Sequence, residues 1–204
     1  MTIFALAIVI FAGNVRKIPA YPFDIYIASV KQHKPTARIS QFAKGCGVSL
    51  STLTPVYGMG ANSQGVQWEL SHNLPSDVYN KESDYLATAE VWQRHRVPRV
   101  VDLWFTDAES EDEELFCLDQ SGRVISLTDI QWSLPAEGAG WWFYKRSLGF
   151  GPTGEVVSRK SQFFDLVGNP IPPPKLSREG RKDMEQPITI RKLDDFGFSK
   201  QMLQ

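Results

Sequence analysis

The chain has 204 residues, which suffices for a core of its own and sits near the upper end of one ordinary domain. Hydrophobic residues at 42% and charged residues at 22% exclude a disordered polar chain. A formal charge of −1 excludes a broad electrostatic footprint for nucleic acid, and the 12% of aromatics, with six Trp, six Tyr and twelve Phe, points to an aromatic-rich core.

In chain order, residues 2–13 form a continuous apolar run followed by Asn14, Arg16 and Lys17. It is shorter than the roughly 20 residues a spanning helix needs, and the charges follow the run instead of preceding it. Two readings stay open: a buried core strand, suited to its β-branched content, or an export or anchoring segment that contacts a membrane. Residues 23–30 read as a second strand. Residues 36–46 suit a short helix with Thr36 as N-cap and Ile39, Phe42 and Ala43 on one face. Residues 58–65, rich in Gly, predict a loop. Residues 83–96 predict the main covering helix, because Tyr85, Ala89 and Trp92 fall at i, i+4 and i+7, Ser83 can cap it, and Arg94, His95 and Arg96 suit its negative end.

From Arg99 onward the chain reads as a β meander. Strands are expected at 100–106, 115–118, 123–127, 141–150 and 155–167, with hairpin turns at 119–122 and 151–154. The prolines of 169–174 must leave the sheet, since proline donates nothing to a ladder. The fold class expected is therefore α+β: a mainly antiparallel, aromatic-rich curled sheet with one or two covering helices, 83–96 and 36–46. Residues 1–174 would form a single domain, and 175–204 a charged extension that wraps it or orders on a partner.

Residues 39–54 carry Ala43, Gly47, Val48, Ser49, Thr52 and Leu53 where two helices would approach, turn and restart. In this spacing the segment resembles the helix-turn-helix of DNA-binding repressors, which would imply a reading helix after Ser49. Cys46 lies between two glycines, so a cysteine-dependent enzyme is an alternative, with His33, His72 or His95 as base. With no C-x-x-C and no histidine pair at ligand spacing, no metal or other cofactor is expected. Cys46 and Cys117 read as buried free thiols, a single bridge between them remaining open.

Residues 107–114 hold six carboxylates in eight positions and predict an exposed acidic loop that attracts a basic partner. In a strand, Trp142 and Tyr144 share one face, which either the C-terminal segment or a partner must cover. The expected binding residues are thus Glu109, Glu111, Asp112, Glu113, Glu114, Trp142 and Tyr144. The profile is similar in style to small bacterial inhibitor or immunity-type proteins. It implies a non-enzymatic, cytoplasmic protein that binds another protein, the alternative being an envelope-associated one held by residues 2–13.

Overall fold

The computed structural model describes residues 35–61, 67–71, 86–106, 110–133, 142–165, 168–176, 182, 184–185 and 187–198. The expectations for residues 2–13 and 23–30 lie outside these, as do His33, His72, Glu109 and Trp141.

The described chain is mostly antiparallel sheet with one α-helix. Nine strands join in one sheet: β1 (Thr54–Ala61), β2 (Gln67–Ser71), β3 (Leu86–Arg94), β4 (Val97–Thr106), β5 (Ser110–Leu118), β6 (Val124–Ser133), β7 (Trp142–Phe150), β8 (Val156–Asp165) and β9 (Pro170–Ile171). Their order is β2-β1-β3-β4-β5-β6-β7-β8-β9, so all but the first pair follow the sequence as a meander. Hairpin closure at each step explains that order, because antiparallel neighbours need only short turns.

The helix α1 (Ala37–Gly45) forms where expected, with the Thr36 Oγ1 accepting the Ile39 N–H at 3.2 Å. Its apolar side, Ile39 and Ala43, packs with Trp92, Val100 and Leu115 against one face of the sheet. The opposite face buries Ala87, Ala89, Val91, Val101, Leu103, Phe116, Leu127 and Leu148 under the C-terminal segment. Phe196 and Phe198 of that segment are buried there, and Ile188, Ile190 and Leu193 pack beside them. The segment is pinned by backbone hydrogen bonds, Val124 N–H to the Arg191 carbonyl at 2.8 Å and Leu193 N–H to the Gly122 carbonyl at 2.7 Å. Residues 188–198 of this stretch thus lie against the sheet.

Both expected hairpin turns are present. At 119–122 the Asp119 carboxylate accepts from the Ser121 N–H and hydroxyl and from the Arg123 N–H. Gly122, at φ 78°, supplies the left-handed residue that turn requires. Burial acts to raise the Asp119 pKa, but the hydrogen bonds from Ser121 and Arg123 outweigh it and hold the group down at about 2.

Four expectations are corrected. Residues 86–94 are strand β3, not the greater part of a helix: Ala87, Ala89 and Val91 alternate into the tail-side core, while Thr88, Glu90 and Trp92 are buried on the helix side. Both faces being buried, the polar–apolar alternation that marks a strand is blurred, and the chance i, i+4, i+7 spacing read as a helix. His95 and Arg96, at φ 51° and 65°, form the two-residue turn into β4 rather than a helix end. Gly58, Met59, Gly60 and Ala61 belong to β1, paired with β2 and β3, not to a loop. After the turn at Gly47 the chain makes a single 3-10 turn, Leu50–Thr52, and enters β1 at Thr54, so the second helix of the helix-turn-helix pattern is absent. The fourth correction is the acidic loop. Its residues 110–114 form the first half of β5.

Candidate functional site

Strand alternation divides the acidic run between the two faces of the sheet. Glu113 points to the helix side, where it is fully buried and ion-paired with Arg38 of α1. Glu114 points to the tail side opposite Asp129, which Arg146 holds through its Nη2 at 2.7 Å and Nε at 3.0 Å. Glu111 and Asp112 are half-buried. Of this run Glu113 alone is fully buried, beside Arg38, and Glu114 is half-buried near Arg146.

The helix side gathers a larger polar group. Cross-strand register places Tyr57, Glu90 and Asp102 side by side on β1, β3 and β4, and Thr88, Trp104 and Glu113 in the next row. Glu90, Asp102 and Glu113 are each at most 1% exposed, and the Glu90 Oε2 and Glu113 Oε1 have no hydrogen-bond partner among the described residues. One guanidinium, that of Arg38, acts on two of the three, Glu113 and Asp102. Arg38 pairs with Glu113 while lying over the Trp132 ring at 4.8 Å, and Trp132 stacks on Trp104 with centroids 5.5 Å apart.

Burial with so little positive charge favours protons on the carboxyls. Burial, reinforced by the charge of Glu113 and opposed by a contact with Trp92, lifts Glu90 to about 8. Asp102 is raised well above its usual range by burial and by its neighbours Glu113 and Glu90, against the pull of Arg38. Burial raises Glu113 to about 7 even though Arg38 and Lys145 oppose the shift. Tyr57 moves to about 12 through burial and the Glu90 charge. On the tail side, burial and the charges of Asp129 and Asp112 lift Glu114 to about 7. Among the described residues no three His, Cys, Asp or Glu side chains come together as a metal site.

Cys46 and Cys117, expected as free thiols, form a disulfide with Cα atoms 6.0 Å apart, tying the end of α1 to the centre of the sheet across 71 residues of sequence. On the chain-entropy view, closing a loop of that length constrains the unfolded chain by about 4 kcal/mol. A sulfur in a disulfide is not available as a thiolate nucleophile, and the third candidate base in the sequence, His95, sits exposed at the β3–β4 turn.

Trp142 and Tyr144 share a face, as strand geometry requires, and the C-terminal segment covers them. They are 7% and 5% exposed and pack with Met184, Phe163, Ile171 and Leu176. Neither lies on an open surface.

The exposed chemistry lies one strand further on. Residues 156–161 of β8 are exposed on both faces, Val156 at 47% and Val157 at 63%. β9 pairs only with Phe163 and Phe164. The Asp165 N–H donates to the Asn169 carbonyl at 2.9 Å, on the β9 side. Backbone groups alternate direction along an antiparallel strand, so those of Ser161 and Arg159 also face that side, where no described strand meets them; the bulge at Val157, opposite Gly149 and Phe150, ends the alternation. Side chains alternate as well. Lys160 and Ser158 extend the row that includes Lys145 on the helix side, and Arg159 lies on the tail side. Lys145, Arg159 and Lys160 make no ion pair among the described residues. Gly149 belongs to the same surface: a Cβ there would meet the Ser158 Oγ at 2.5 Å, so glycine is what lets β8 lie close.

Sequence reasoning missed Arg38, Glu90 and Asp102, because nothing in the spacing of isolated charges reveals that they meet. It also missed the β8 edge, although a signal was present: the prolines at 170 and 172–174 cannot supply a long covering strand.

No protein-family model, no curated protein and no solved structure matches the chain. No helix among the described residues is long and apolar enough to cross a membrane.

Proposed function

We propose that the chain is a non-enzymatic interaction protein that docks a protein partner at the open edge of β8. The observation behind this reading is the six-residue stretch 156–161, exposed on both faces and flanked by only a two-residue β9. An open edge offers rows of donors and acceptors to an extended segment, a recurring mode of peptide recognition. Of the contact residues first expected, Glu113, Trp142 and Tyr144 are buried, Glu111, Asp112 and Glu114 are half-buried and Glu109 lies outside the described residues; the more exposed neighbouring edge supports recognition there instead.

Capture experiments from the native source test the reading, using the full chain, a Ser161→Pro variant and a Lys44→Glu control on the exposed side of α1. Proline at 161 removes an N–H that faces outward, so the sheet itself stays intact. The partner should remain on wild type and on Lys44→Glu and be lost from Ser161→Pro. Equal retention on all three would refute the proposal.

A second reading concerns the compartment. The Cys46–Cys117 disulfide favours an oxidising one, in line with the alternative of an exported or envelope-associated chain using residues 2–13. Fractionation of cells expressing the intact chain, with free thiols trapped by alkylation at lysis, decides between this and the cytoplasm. An alkylated Cys46 in the soluble cytoplasmic fraction would remove it.

A further inference from the structure

The β8 edge carries charge as well as open backbone, and the sign of that charge constrains what can pair with it. Lys145 and Lys160 are exposed on the helix side of the sheet, and Arg159 is exposed on the tail side. Of the carboxylates of β5, Glu113 is fully buried against Arg38, and Glu114 is half-buried opposite Asp129 beside Arg146. Glu155, an exposed carboxylate that keeps its charge, lies before residue 157 and accepts from the Thr153 hydroxyl and N–H through its Oε2. The exposed surface along 157–161 is therefore positive on both faces, with Val157 as its one large apolar side chain.

We infer that the partner contributes an extended acidic segment that adds to the sheet alongside residues 157–161, with carboxylates against Lys145, Arg159 and Lys160 and an apolar residue near Val157. The inference rests on the reading of this edge as the docking site. Directly opposed unlike charges stabilise a strand pair and like charges oppose it. That rule also disfavours a second copy of this chain as occupant. Two β8 strands pairing antiparallel here would bring, according to register, Arg159 against Arg159, Lys160 against Lys160 or the two against each other, the arrangement by which basic edge strands resist self-association. An acidic strand meets the same residues with complementary charge. Arg159 and Ser161 then each offer one donor and one acceptor.

Fluorescence anisotropy on the full chain tests this, with two synthetic eight-residue probes, one alternating valine and glutamate and one alternating valine and lysine. The acidic probe should bind roughly tenfold or more tightly than the basic one, and added salt should narrow the gap. Charge reversal at two exposed positions, Lys145→Glu with Lys160→Glu, should invert the preference, and Ser161→Pro should abolish binding of both probes. Loss on Ser161→Pro with no preference between the probes would overturn the acidic partner and leave the edge reading standing. Binding of the acidic probe unchanged by Ser161→Pro would overturn the edge reading itself. Failure of wild type to bind either probe overturns both, provided thermal unfolding shows the proteins folded.

Discussion

Glu90 shows how far a single residue's meaning depends on its surroundings. In sequence it is one carboxylate in a segment that looks helical; in the fold it is 1% exposed beside Asp102 and Glu113. A carboxyl whose folded pKa stands above its unfolded one contributes stability that is fully present below the unfolded value. For Glu90 that contribution is lost as pH rises from about 4.5 through about 8. Asp102 and Glu113 act in the same direction. Asp119, lowered to about 2, acts oppositely, and only in stronger acid. Denaturant unfolding should therefore show stability falling between pH 5 and pH 8, by roughly 1.4 kcal/mol per pH unit for each such group at full effect. Glu90→Gln should flatten that slope by removing one group. A stability that rises across this interval would contradict the buried cluster.

At the scale of elements, the clearest prediction concerns the C-terminal segment. Phe198 is fully buried in the tail-side core, and Phe196 packs against Phe116 with centroids 5.0 Å apart. Phe198→Ala should lower unfolding free energy by about 3–5 kcal/mol, the usual range for removing a buried phenylalanine. A loss near zero in chemical denaturation would mean the segment is not part of the core. The sequence made this segment legible as a candidate wrap, and it made both hairpins legible through Gly122 and Gly154. It did so because turn chemistry is local: Asp119 and Ser121 satisfy each other within a few residues. β3 was illegible for the opposite reason. Burial of Thr88 and Glu90 is set by strands distant in sequence, and without it the segment shows helical spacing as readily as alternation. The same holds for Arg38, whose role depends on Glu113, 75 residues away.

Among the described residues, Glu90, Asp102 and Glu113 are buried on the side of Arg38 and Asp129 on the side of Arg146, while Lys145, Arg159 and Lys160 are exposed on β7 and β8. The formal charge of −1 counts Glu90 and Asp102 as ionised, although burial favours their neutral forms near neutrality. What the chain shows to a partner is accordingly more positive than its composition states. The meander ends at β8 and β9, and among the described residues no strand covers β8 beyond the two-residue β9. The account therefore centres on the open side of β8. Residue-resolved hydrogen exchange of the free protein tests it most directly. The amides of Ser158 and Lys160, directed at β7, should be protected, and those of Arg159 and Ser161, directed outward, should exchange at close to unprotected rates. Protection of all four amides alike would contradict an open edge.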